Sequence, residues 1–394
     1  MNGAGRRVVV TGIGVVAPCG IGKEAYWDGL LRPVTEVGPT RAVPDWDPSP
    51  WYANPKQSRR ADRFEQFALA AAAMALDDAG GEPNADPARK GVVVATGIGG
   101  LNTLEDQIQT RLEKGERRVS PFLVPMMMAN AGGAAVSMRY GWQGPCETIT
   151  TACAASTHGI GYAARLIAWG RCDAMLAGGS ESTLTPTALA GFRNMTALSS
   201  SGVSMPFDTK RDGFVMSEAA AILLLEDLES ALGRGARILG EILGSASTAD
   251  AHHITAPAPG GTGAMSCMEL CLADAALTPD AIRQINAHGT STPLNDAAEA
   301  EAIAKMFGAP GPPVTSTKGV TGHALGAAGA LEAAAILLSI EHRLIPPTMG
   351  TTQLDPELSI DLVIGEPRPW DPGPALSNSF GFGGHNGSLA LAPF

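Results

Sequence analysis

The chain runs through the same order of segments twice. Its first half passes from a strand at 7–10 to a strand ending in Gly97-Ile98-Gly99-Gly100, then to a loop and helix at Cys153. It closes on a strand after Arg211-Asp212-Gly213-Phe214. The second half passes from a strand at 238–243 to Ile285-Asn286-Ala287-His288-Gly289-Thr290, then to a loop and helix at His323. It closes on Asn378-Ser379-Phe380-Gly381-Phe382 and a strand at 388–391. Alternating strands and helices repeated in one order restrict the chain to two α/β units packed against each other. We expect a first half over 1–240, a second over 241–394, and Cys153 and His323 at equivalent positions. Further strands are expected at 91–95, 174–177 and 221–225, and helices at 67–79, 154–169 and 324–338. The stretch 44–60, rich in Pro and Trp, is expected to be irregular and at the surface.

Composition supports a large buried core, with 45% apolar and 17% charged residues. The formal charge of −11 argues against general nucleic-acid binding, which needs a cationic surface. Cys19, Cys146, Cys153, Cys172, Cys267 and Cys271 form no C-x-x-C pair, so neither a disulfide framework nor a metal site is expected. The run Val8-Val9-Val10 after Arg6-Arg7 is too short for a signal peptide, and no segment approaches the roughly 20 apolar residues of a membrane span. A cytoplasmic location without membrane attachment is the expectation. Gly12-Ile13-Gly14-Val15-Val16-Ala17 formally matches a dinucleotide fingerprint. It fails in context, because Pro18, Cys19 and Gly20 follow where the phosphate-binding helix should begin.

Cys153 follows the β-branched run Thr148-Ile149-Thr150-Thr151 and opens a helix of small residues. At a helix N-terminus the free N–H groups and the dipole favour a thiolate, which predicts a lowered thiol pKa. His288 and His323 each lie just after a strand-like segment, in loops dense with Gly, Ser and Thr. Two histidines in near-identical settings, together with a helix-capping cysteine, point to a nucleophile with two imidazole partners.

Thr151-Ala152-Cys153, the two histidine segments and the tail Asn378-Ser379-Phe380-Gly381-Phe382-Gly383-Gly384 resemble the β-ketoacyl synthase family nearly end to end. The similarity is closest to the type II synthases of dissociated fatty-acid or polyketide synthesis. The resemblance implies a thiolase-like fold, duplicated α/β halves in a layered α/β/α/β/α core. It also implies transfer of an acyl chain from acyl carrier protein to Cys153, then decarboxylative Claisen condensation with malonyl carrier protein. His288 and His323 would donate to the malonyl thioester carbonyl, and the N–H groups of Cys153 and Phe382 would form the oxyanion hole. Lys318, paired with Glu332, would support His323. Thr290 and Thr292 would bind the phosphopantetheine arm, and Phe382 would gate the site together with the loop 250–261. Leu104, Phe192 and Phe380 would contact substrate, with Leu123 and Met126, Met127 and Met128 reaching across a dimer. No resident cofactor is implied, since phosphopantetheine arrives on the carrier.

Lys56, Arg59, Arg60 and Arg63 form one basic cluster and Arg117-Arg118 a second; they resemble the family's docking surface for the acidic carrier. A homodimer is expected, with a heterodimer containing a chain-length-factor-like subunit as the other arrangement. Two departures stand out. Ser217-Glu218-Ala219 replaces Gly-Glu-Gly, and His385 replaces threonine; both are expected to lie clear of Cys153, His288 and His323. A thiolase would carry a second cysteine near the C-terminus, which is absent. Alternative readings are a polyketide ketosynthase, a synthase-like acyltransferase that never condenses, and a non-catalytic chain-length-factor-like subunit. The last generally lacks the cysteine.

Overall fold

A computed structural model describes residues 5–394. The first half contributes strands β1 (Val8–Ala17), β2 (Lys90–Ala95), β3 (Cys146–Glu147), β4 (Ala174–Glu181) and β5 (Ala219–Asp227). Its main helices are α1 (Arg63–Asp78), α2 (Ala131–Tyr140) and α3 (Ala155–Ala168). The second half contributes β6 (Gly240–Ala249), β7 (Gln284–Asn286), β8 (Pro313–Thr315), β9 (Asp361–Leu362), β10 (Ala375–Gly381) and β11 (His385–Ala392). Its main helices are α4 (Thr262–Ala275), α5 (Pro293–Phe307) and α6 (Ala328–His342).

The strands run β1-β5-β4-β2-β3 in one half and β6-β11-β10-β7-β8-β9 in the other. In each half the first two pairings are antiparallel and the rest parallel. The repeat read from segment order is therefore a repeat of topology. The halves join where Val8–Val10 of β1 pairs with Gly240–Ile242 of β6.

Helices α3 and α6 touch strands of both halves and each other, so they form the central layer. Helix α1 covers the outer face of the first sheet and α4 that of the second. Small residues make this layering possible. A Cβ on Gly329 of α6 would fall 2.0 Å from Thr157 Oγ1 of α3. The segment Leu325–His342 spans 18 residues with mean hydropathy 1.3, longer and more apolar than expected of any segment; 89% of it is buried between the sheets. The glycines of the dinucleotide-like motif serve packing too. They lie within β1, and a Cβ on Gly12 or Gly14 would come within about 2 Å of the Ala75 or Ala71 carbonyl oxygen on α1.

The two central helices open in the same way. Short 3₁₀ turns, Ala152–Ala154 and Leu325–Ala327, precede α3 and α6, and each begins with a left-handed residue, Ala152 at φ 51° and Leu325 at φ 43°. By this correspondence Cys153 matches Gly326 and His323 matches Thr150. The expected equivalence of Cys153 and His323 is thus displaced by three residues. The sequence pattern places the loop–helix junctions; the strained turn that fixes the register has no signature among ordinary residues.

Candidate active site

Both central helices point their N-terminal turns at one cavity of about 470 Å³. Cys153, His288, His323, Phe192, Phe380, Phe382, Thr290 and Thr292 all line it. Cys153 Sγ lies 3.0 Å from His323 Nε2, and the two imidazole rings stand edge to face with centroids 5.4 Å apart. Phe214 packs on His323, Phe380 on His288, and Phe192 on Phe382. Thr290 and Thr292 hydrogen-bond each other through their hydroxyls at 2.9 Å.

Lys318 is buried and ion-paired with Glu332. Its ammonium also donates to the His288 carbonyl oxygen at 2.6 Å and lies 3.4 Å from His288 Nδ1. The expected support of His323 is thus redirected, since the contacts of Lys318 are to His288. A buried cation there keeps His288 Nδ1 facing a donor and turns Nε2 toward the cavity.

Two acidic residues that sequence reasoning passed over complete the scaffold. Glu299 of α5 accepts from the N–H groups of His288 and Gly289, each at 2.8 Å. Glu181, at the end of β4, accepts from Gly97 at 2.5 Å and Gly326 at 3.1 Å, tying the loops of the two halves together. Glu299 stands in a stretch with Asp296 and Glu301 that reads as a solvated helix face. The available signal was its position on the helix that directly follows the His288 motif.

Electrostatics correct one expectation. Burial pushes the Cys153 thiol up to about 12, outweighing Lys318 and the Phe382 N–H, which pull it down. Helix-tip stabilisation is visible in sequence, whereas the apolar enclosure that opposes it is not. Burial first, and Lys318 second, hold both histidines well below the ordinary imidazole value. They are therefore neutral at physiological pH. Alkylation of resting Cys153 by iodoacetamide should accordingly keep rising with pH through pH ~9, where an unperturbed thiol would level off. A plateau below pH ~8 in mass-resolved alkylation rates would contradict this.

The other candidates fall into place unevenly. Leu104, on the helix Leu101–Lys114, does not line the cavity, and Ile98 does; Leu123 and Met126, Met127 and Met128, expected to reach across a dimer, lie outside the cavity of their own chain. Lys56, Arg59, Arg60, Arg117 and Arg118 are exposed, and Arg60 stacks over Phe122, four residues after Arg118, with its guanidinium 4.5 Å from the ring. Arg63 departs from the docking set. Its guanidinium forms a two-pronged ion pair with buried Glu218 at 2.6 and 2.8 Å.

Ser217-Glu218-Ala219 is not clear of the site, as expected, but part of its frame. The Ser217 N–H donates to the His323 carbonyl at 3.0 Å, and the His323 N–H donates to Val215. Glu218 also accepts from the Val43 N–H and the Ser182 hydroxyl. Glu218→Ala would leave these donors without their acceptor and the Arg63 guanidinium without its carboxylate, so we expect a loss of about 3 kcal/mol in denaturant unfolding. An unchanged midpoint would contradict that assignment. His385 is half-buried at the start of β11, beside Gly383 and outside the cavity wall. The loop 250–261 is tied to the Phe382 hairpin by Asp250 N–H to Gly384 O and Gly383 N–H to Ile254 O, both at 2.8 Å.

Comparison with known proteins bears on what this cavity does. Residues 33–231 match the model of the beta-ketoacyl synthase N-terminal domain, and 239–352 that of the C-terminal domain. The chain belongs to the β-ketoacyl synthase family. A 3-oxoacyl-[acyl-carrier-protein] synthase 2 of Synechocystis is 45% identical to this synthase, over 99% of this chain and 98% of the relative. Another of the same designation from Coxiella burnetii is 42% identical over 98% of each. Among solved structures, the ishigamide ketosynthase/chain length factor superposes with a TM-score of 0.92 at 35% identity, covering 99% of this chain and all of that one. A Burkholderia phymatum beta-ketoacyl synthase gives 0.89 at 34%, with the same coverage. The fold of the synthase is thiolase-like and its enzymatic class is that of a condensing acyltransferase.

Proposed function

We propose that this synthase loads an acyl chain from acyl carrier protein onto Cys153 and condenses it with malonyl carrier protein, giving β-ketoacyl carrier protein and CO2. The observation that carries this reading is the 3.0 Å contact of the Cys153 thiol with a neutral, buried His323, with His288 in the same cavity. In loading, His323 Nε2 accepts the thiol proton as sulfur attacks the acyl carbonyl, and that proton leaves with the departing carrier thiol. The N–H groups of Cys153 and Phe382 stabilise the oxyanion. In condensation, the C–C bond to CO2 breaks and its electron pair becomes the enolate, held by imidazole N–H donors of His288 and of His323, whose ring proton has moved from the unpartnered Nδ1 to Nε2 by exchange with solvent after loading. The enolate carbon then attacks the Cys153 thioester, the C–S bond breaks, and the departing thiolate takes a proton from solvent to restore the resting thiol. Lys318 and Glu332 fix His288; Thr290 and Thr292 bind the pantetheine arm, and Phe382 gates the cavity.

Carrier recognition rests on charge. Exposed Lys56, Arg59, Arg60, Arg117 and Arg118 give an acidic protein a cationic landing site. One solved relative, at 32% identity, is a type II ketosynthase in complex with its acyl-carrier protein. Another, at 27%, is a ketosynthase in complex with its chain length factor. Exposed Val124, Met128 and Met138 lie on the same half as the exposed edge strand β3, a surface suited to a second subunit. We take that partner to be a second copy of this chain; a chain-length-factor-like subunit is the other candidate.

The test compares donors. Acyl carrier protein should load the enzyme with kcat/KM at least ~100-fold above the same acyl group on coenzyme A. Reversing charge at Lys56, Arg59 and Arg60 should raise KM for the carrier and leave loading from coenzyme A unchanged. Equal use of both donors by the unaltered enzyme would overturn the carrier assignment.

A further inference from the structure

We propose that Cys153, His288 and His323 also form a binding site for a thiophilic divalent cation, zinc being the natural candidate, and that its occupancy excludes acylation. The exclusion rests on the function proposed above; the binding itself does not. The sulfur and one ring nitrogen of each histidine lie within 4.8 Å of one another, and all three side chains are buried. Zinc binds thiolate at ~2.3 Å and imidazole at ~2.0–2.1 Å, which places tetrahedral S and N ligands about 3.6 Å apart. The Cys153–His323 separation of 3.0 Å reaches that spacing with a shift of about half an ångström, and the other ligand pairs, within 4.8 Å of one another, reach it with a shift of at most about 1.2 Å. Three protein ligands beside an open cavity leave a fourth position for water, the pattern of an accessible rather than a closed site.

The ring chemistry permits this. His323 Nδ1 is buried without a hydrogen-bond partner among the described residues, so no contact there pins the proton on Nε2. Nε2 can then present its lone pair to a metal, with the proton on Nδ1. His288 is the weaker ligand, because the Lys318 ammonium beside its Nδ1 favours the opposite tautomer. That ammonium also opposes a dication, a penalty reduced by its ion pair with Glu332. Binding displaces the thiol proton to solvent and forms the metal–sulfur bond, so affinity rises with pH. Neither Lys318 nor the cysteine spacing announces the site in sequence, since its ligands come from three separate loops.

The exclusion follows from atoms used twice. Acyl loading needs a free sulfur lone pair, and enolate stabilisation needs hydrogen on Nε2. A bound metal takes both. A thiophilic cation would therefore inhibit, while an oxygen-seeking one such as magnesium would not.

The experiment titrates the unmodified protein with Co2+ as a spectroscopic probe near neutral pH. One equivalent should produce a thiolate-to-cobalt charge-transfer band in the near ultraviolet, with the intense visible bands of four-coordination. Zinc should displace it. The band should be absent in Cys153→Ser and after alkylation of Cys153. Acyl loading should fall about tenfold at a free zinc concentration ten times its Kd, and return on chelation. No charge-transfer band at saturating cobalt, or a band persisting in Cys153→Ser, would overturn the site. A band with unimpaired acyl loading would overturn the exclusion. Because the spectrum needs no carrier and no turnover, its absence leaves the condensing activity untouched. Failure of metal-free protein to condense would count against the functional reading instead.

Discussion

Cys153→Ala should fold and should take up no acyl group at all. The side chain lies among small residues, between the left-handed Ala152 and Ala154, and the substitution removes only sulfur. Its own burial cost is small, on the order of 1 kcal/mol, so the helix α3 and the cavity should persist. Acylation, by contrast, loses its thiol: among the described residues the rest of the lining offers imidazoles, hydroxyls and carboxylates but no second thiol. Intact-protein mass spectrometry after incubation with acyl carrier protein should show no adduct. An adduct of unchanged yield, mapped to exposed Cys146 or elsewhere, would contradict the nucleophile assignment.

His288→Ala should leave loading nearly intact and depress condensation by a factor of ~10²–10³. The estimate follows from the ~2.7–4 kcal/mol typically lost with one preorganised donor. Selectivity between the steps is the informative part. His323 touches the thiol and serves both half-reactions, whereas His288, beside it, is held by Lys318 and Glu299 and makes no hydrogen bond to the thiol among the described residues. Its removal withdraws an enolate donor without disturbing the nucleophile. Single-turnover loading and CO2 release from malonyl carrier protein separate the two. Equal losses in both would count against the enolate role.

How far the sequence could be read depends on what each element needed. The repeat was legible because strands and helices alternate visibly, and the two halves of the sheet follow the same order. β1 read as four residues and spans ten, since Gly12 and Gly14 look like breakers while serving the approach of α1. Cys153, His288 and His323 were legible from chemistry-bearing residues in matching settings. Glu181 and Glu299 were not, because a buried carboxylate that accepts backbone N–H groups looks identical to a solvated one. Arg63 shows the converse: a basic residue in a basic run, turned inward by a glutamate more than a hundred residues away. The raised thiol pKa belongs to the same class, set by enclosure that only the folded chain creates.

The most direct measurement follows the mass of the enzyme through one cycle. Acyl carrier protein alone should add one acyl group to a Cys153-containing peptide, and the adduct should persist. Addition of malonyl carrier protein should remove it, releasing CO2 and β-ketoacyl carrier in equal amounts. An adduct that forms and then hydrolyses without a lengthened product, or condensation without any adduct on Cys153, would contradict the account.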